Sequence, residues 1–304
     1  MKKHIFILFL LTISLGFDIN SQQDWDLGFR LGASNYLGDI GGKEKNRRNF
    51  ILDMKLQQTS LVGGAFIRYK LDKNWSLNAQ VNYGRIKGDD ALSTNPGRMW
   101  RNLRFKNDII ELSGRGEYNF YEDADFGNSG KYTTELKAFL HAGLTGFYHN
   151  PKGSLNGSTW TALKPMKTEG VKYSRIGLGI PVGLGLVFTV KRDHRIGLDF
   201  SWTTTFTDYL DDISTVYYDP VNMGSDAAAL ANQSAQVTPE EQIYNFMPGE
   251  KRGDPTHNDT YMFTTLTYSY YLHKGNNDVF RNKRRQIRAK SKRRSGRRVI
   301  KSKF

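Results

Sequence analysis

From Trp25 onward, apolar side chains recur at every second position. Trp25, Leu27, Phe29, Leu31 and Ala33 alternate with Asp26, Gly28, Arg30, Gly32 and Ser34. Trp75, Leu77, Ala79, Val81 and Tyr83 alternate with Ser76, Asn78, Gln80, Asn82 and Gly84. The same period continues through Ile110, Leu112, Tyr118 and Phe120, then Leu136, Ala138, Leu140, Ala142 and Leu144. It returns in Ile176 to Phe188, in Ile196, Leu198, Phe200 and Trp202, and in Met262, Leu266, Tyr268, Tyr270 and Leu272. A weaker run, residues 61–71, carries Ala65, Ile67 and Tyr69. Period two is the signature of strands with one apolar face. The count predicts eight strands, most of them long enough to cross a bilayer when tilted.

Alternation alone also fits a soluble sandwich or lipocalin-like barrel with the apolar face inward. Strand length and loop pattern favour a membrane wall. Connections near residues 72–74, 121–130 and 191–194 are short, and those between are long, with the longest after Phe206. Short turns at one end and long loops at the other describe a transmembrane barrel. The expected fold is therefore all-β: an eight-stranded antiparallel transmembrane β-barrel with short periplasmic turns and long outer loops. Aromatics near strand ends, among them Trp25, Tyr69, Trp75, Tyr83, Phe120, Tyr148, Trp202 and Tyr270, are the expected girdles.

Eight strands enclose an interior that side chains can fill. Arg30, Glu111, Arg115, Glu117, Glu135, Lys137, Arg175 and Asp199 are expected there. Both signs are present, which favours a paired plug over an ion or proton path.

The N-terminus changes the picture. Lys2 and Lys3 precede an apolar stretch over residues 5–17, followed by Asn20, Ser21 and Gln22. That is a secretory signal, expected to occupy residues 1–21; a retained anchor helix is the alternative. The barrel is expected over residues 22–273. The chain has no cysteine, so disulfides, thiolate metal sites and a lipidated cysteine are excluded.

Charge sits at the other end. The formal net charge is +14, yet residues 274–304 hold fourteen Lys or Arg and one acid, Asp278. The barrel is close to neutral, so the basic pI belongs to a tail, expected in the periplasm. Lys283, Arg284, Arg285, Lys292, Arg293, Arg294, Arg297 and Arg298 are the candidate partner-binding residues. Such blocks are usually interaction arms. An acidic ring protein, anionic lipid head groups or cell-wall polymers are candidate partners, against a solvated tail with none. Nucleic acid is not expected after export.

No catalytic constellation emerges, and neither enzymatic activity nor a cofactor is expected. A protease or lipase site assembled from loop tips is the competing reading. Asp208, Asp211 and Asp212 form a candidate hard-cation cluster. The alternative is a loop turn whose Asp side chains cap backbone amides.

Several loop and strand motifs occur in a definite order. They are Tyr36-Leu37-Gly38-Asp39, Gly88-Asp89-Asp90, Arg101-Asn102-Leu103-Arg104-Phe105, Glu117-Tyr118-Asn119-Phe120, Asn150-Pro151, Thr168-Glu169-Gly170, Ile180-Pro181-Val182-Gly183 and Asp208 through Ser214. In this order they resemble the PorG-like outer-membrane barrels of the type IX secretion and gliding-motility system. The resemblance spans nearly the whole barrel, although this chain continues about thirty residues, fourteen of them basic, further than that family usually does. It implies a structural part in the outer membrane that holds periplasmic ring proteins, a lipoprotein and its partner subunit. The alternative is a general small barrel that stabilises the membrane or binds ligands through its loops.

Overall fold

Trp25 lies opposite Leu272 on one side and opposite Tyr69 on the other, so the first strand is gripped along both edges by the last strand and the second. This closure is visible in a computed structural model, which describes residues 24–40, 56–127 and 133–272. The strands are β1 (Asp24–Leu37), β2 (Ser60–Lys70), β3 (Trp75–Asp89), β4 (Arg104–Asp123), β5 (Glu135–Tyr148), β6 (Pro151–Gly153), β7 (Thr161–Ala162), β8 (Ile176–Val190), β9 (His194–Thr205) and β10 (Thr260–Leu272). Eight of them pair antiparallel in a ring, β1-β2-β3-β4-β5-β8-β9-β10, which returns to β1. No edge of that ring is left open, the condition for a sheet in hydrocarbon. β6 and β7 extend the upper part of β4 as a small ribbon outside the ring.

The predicted alternation holds, and its sense is inside-out. Leu31 (63% exposed), Leu112 (68%), Leu144 (70%) and Leu266 (65%) project outward. Arg30, Glu111, Arg115, Glu117, His141 and Asp199 point inward and are buried. A soluble barrel places its apolar face inside, and exposed apolar surface of this extent is foreign to soluble monomers. The wall is that of a membrane-spanning barrel. Aromatic pairs at the short-turn end, Trp25 with Tyr69 (ring centroids 4.7 Å apart) and Trp75 with Tyr118 (5.0 Å), form one expected girdle.

The two ends differ. Short turns at 71–74 and 191–193 lie where β1 begins and β10 ends, as do the end of β4 and the start of β5. The described parts of four long connections, 38–40 with 56–59, 90–103, 149–175 and 206–259, share the opposite end. They carry two short helices, α1 (Pro96–Arg101) and α2 (Ser225–Ala231). The apolar core also sits at this end, with Tyr36, Ile40, Ile86, Phe105, Phe147, Leu210 and Tyr261 buried together. Polar-in alternation therefore gives way there to apolar-in, because the loops close over the barrel mouth. The expected signal (1–21) and basic tail (274–304) lie outside the described residues.

Candidate functional site: the filled lumen and the loop cap

The lumen is occupied by its own charges. Asp199 on β9 accepts both terminal nitrogens of Arg115 on β4 at 3.2 Å, and Arg30 on β1 lies 3.5 Å away. His141 on β5 stands 3.3 Å from the Arg115 guanidinium. Nearer the short turns, Arg68 on β2 bonds Glu117 at 2.5 Å and Asp26 at 3.2 Å, and Arg195 on β9 also binds Asp26. Lys137 pairs with Glu135 at 3.0 Å. Glu111 accepts from Asn82 at 2.9 Å, Ser113 at 2.8 Å and Tyr261 at 2.5 Å.

Seven of the eight residues expected in the lumen thus lie there. Arg175 does not: it precedes β8, in the long connection. Arg68, Arg195 and Asp26 were missed, although the same alternation places them inward.

Glycine makes the close packing possible. A Cβ at Gly183 would meet the carbonyl oxygen of Phe200 and stand 2.6 Å from His141 Nε2.

The cap brings the loop motifs together, while Glu117–Phe120 and Ile180–Gly183 lie on β4 and β8. Asn95 caps α1 by accepting from the amide of Gly97 at 3.0 Å, and Pro96 starts the turn. Asn102 ends it at φ 56, a left-handed conformation asparagine tolerates. That single turn aims Arg101 into the cap. Its guanidinium bonds Asp90 at 2.8 and 3.0 Å, the carbonyl of Arg252 at 2.6 Å and that of Asp39 at 2.7 Å. Arg252 in turn bonds Glu169 at 2.8 Å and the carbonyls of Asp212 at 2.7 Å and Ala231 at 3.1 Å. Two buried arginines therefore tie all four long connections together.

Tyr36, Asp39 and Glu169, from other motifs, join the same network. Tyr36 donates to Asp259 at 2.7 Å, and a Cβ on Gly38 would collide with both. Asp39 accepts from the amide of Asp254 at 2.9 Å. Glu169 accepts from the amides of Ser214 and Thr215 at 3.1 and 3.0 Å.

Two carboxylates of the acidic run, Asp211 and Asp212, accept from neighbouring amides and hydroxyls. Asp211 accepts from the amides of Ile40 (3.1 Å) and Ile213 (2.9 Å), and Asp212 from the hydroxyls of Thr168 (2.5 Å) and Tyr173 (2.6 Å). Asp208 is buried beside them. No group of three or more metal-ligating side chains is positioned for an ion among the described residues. Burial raises the Asp212 carboxyl to about 6, against the pull of Arg252. Burial also raises Asp211 and Asp259, and neighbouring carboxylates add to the rise. The eight tail residues expected to bind a partner, Lys283, Arg284, Arg285, Lys292, Arg293, Arg294, Arg297 and Arg298, lie outside the described residues.

No curated protein matches the chain. Among solved structures it is similar to Ail, the attachment invasion locus protein of Yersinia pestis, with 9% identity over 83% of this chain and 100% of that one and a TM-score of 0.36. It is similar to Neisserial surface protein A, with 10% identity over 81% and 96% of the two chains and a TM-score of 0.37. OprG of Pseudomonas aeruginosa gives 10% identity over 84% and 100%, with a TM-score of 0.34. Nothing about activity follows from identities this low. A family match covers residues 2–224, most of the barrel, and the chain belongs to that family, described as a domain of unknown function, DUF6089.

Proposed function

We propose that this chain is a structural barrel of the outer membrane, working in a protein secretion apparatus of the type IX kind. One observation carries the structural part: the wall is apolar outside, while the lumen is filled by paired buried charges. A lumen plugged in this way offers no open conduit, so the barrel's use lies in what its two ends hold. The ordered motifs of the PorG-like barrels, most of them gathered here in the cap, support the secretion assignment.

In this reading the long-loop end faces outward and the short-turn end faces the periplasm. β10 ends at Leu272 on that inner side, so the chain continues there into residues 274–304. The lysines and arginines from Lys283 to Arg298 would hold acidic surfaces of the ring proteins, a lipoprotein and its partner subunit. Such attraction is screened over about 8–10 Å at ordinary ionic strength, so capture weakens with salt.

The test is co-purification from outer membranes of the full chain and of a chain lacking residues 274–304. The full chain should bring down a periplasmic ring complex at low salt, and the shortened one should lose it and lower secretion. Undiminished capture and secretion by the shortened chain would remove the tail from the account. Absence of any ring complex with the full chain would remove the secretion role.

A second reading, a small barrel whose loops bind a ligand, is favoured by a recess of about 550 Å³ on the cap between Trp100, Tyr217, Phe246 and Arg98.

A further inference from the structure

Three lysines stand side by side on the outward face at the long-loop end. Lys87 on β3 lies opposite Lys106 on β4, and Lys106 lies opposite Lys152 on β6. Like charges placed directly across strands repel. Two carboxylates stand close among the described residues. Asp89, two residues beyond Lys87 on the same face, accepts from the amide of Ala91 at 3.0 Å. Asp108 is shared between Arg85 at 2.6 Å and Lys152 at 3.9 Å. Among the described residues, no carboxylate is paired with Lys87 or Lys106. Lys106 instead places its ammonium 4.4 Å from the centre of the Trp160 ring.

The row begins where the apolar wall ends. Outward positions on β3 run Leu77, Val81, Tyr83 and then Arg85 and Lys87; on β4, Leu112 and Ile110 give way to Asp108 and Lys106 at the same height. At about 3.3 Å per residue and a tilt of about 40°, Lys87 stands about 10 Å above Tyr83 along the barrel axis. That is the level of lipid head groups. A groove of about 750 Å³ joins the two zones, with Leu61 and Tyr83 on its apolar side and Lys87, Lys106 and Trp160 on its charged side.

We infer that this lysine row and groove bind the phosphate of a membrane lipid head group, with the lipid's chains lying on the adjoining wall. The chemistry fits a phosphorylated glycolipid of the lipid A type: anionic groups above, acyl chains below. Lysine suits this task, because its flexible stem lies on apolar surface while its ammonium reaches the head-group layer. The inference rests on the membrane reading but not on the secretion role.

The full chain would be reconstituted in phosphatidylcholine nanodiscs with lipid A, with dephosphorylated lipid A, or with neither. The triple variant Lys87→Gln, Lys106→Gln, Lys152→Gln should retain lipid A at least about tenfold less well than the parent, and Lys87→Gln alone about fivefold less well. A control changing Lys164 and Lys167 to Gln should match the parent. The dephosphorylated lipid should not distinguish the proteins. Equal lipid A retention by parent and variants, or displacement of the lipid by millimolar inorganic phosphate, would overturn the inference. Failure of the parent to enter any nanodisc would remove the membrane reading and this inference with it.

Discussion

Arg252 and Glu169 come from different long connections and meet 2.8 Å apart, each side chain 2% exposed. Removing one partner of such a buried pair strands the other charge, at a cost of about 3–5 kcal/mol. Arg252→Ala should therefore loosen the cap while the ring of strands persists. Limited proteolysis should cut within residues 206–259 in the variant and not in the parent, and unheated gel mobility should stay that of a folded barrel. An uncut variant would show that the loops hold by other contacts.

Asp199 is the lumen counterpart of that pair. Asp199→Asn leaves Arg115 and Arg30 facing each other without their shared anion, again at about 3–5 kcal/mol. Arg85→Ala breaks a pair whose side chains are 45% and 23% exposed, and should cost under about 1 kcal/mol. Urea unfolding in detergent would compare them; equal midpoints would contradict a plug that depends on paired charge.

The lipid face makes a sharper contrast. Leu140 and Leu184 are each 51% exposed on the outer wall. Leu140→Arg or Leu184→Arg should cost about 2–4 kcal/mol and impair assembly. Gly183→Arg points inward and should fail by collision with Phe200 and His141 instead. Normal assembly of both leucine variants, measured as the heat-dependent gel shift, would mean the inside and outside are assigned wrongly.

The raised carboxyls of the cap predict a pH dependence with a definite sign. Asp212 titrates near 6 in the folded cap, and an unfolded Asp near 3.9. The folded state therefore binds the proton more tightly. Its contribution is complete below about 4 and is lost as pH rises through 6, and Asp211 and Asp259 push the same way. The cap should melt at a lower temperature at pH 8 than at pH 5. Asp212→Asn mimics the protonated form and should reduce that difference; an unchanged difference would place the dependence elsewhere.

Much of this was legible before the structure. Strict alternation in Trp25 to Ala33 and in Trp75 to Tyr83 fixes which side chains face lipid, because a one-residue slip would invert them all. The lumen residues followed from the same rule. Arg175 was misplaced because alternation was carried one residue past the start of β8. Met262, expected outward, is 2% exposed at the long-loop end of β10. The cap was not legible as a unit. Tyr36 and Asp259, or Arg101 and Arg252, meet across more than a hundred residues of chain. No local period encodes such a meeting. The motifs announced that those residues mattered, and the acidic run at 208–212 left open a cation or capped backbone amides; Asp211 meets amides and Asp212 meets hydroxyls.

The central claim is that this ring of strands stands in a membrane and is closed on itself. The direct measurement is extraction of outer membranes with alkaline carbonate and then with detergent, followed by electrophoresis with and without boiling. The account predicts that the chain stays in the membrane through carbonate, leaves only with detergent, and migrates differently once boiled. Release by carbonate as a soluble monomer, with one mobility before and after boiling, would contradict it.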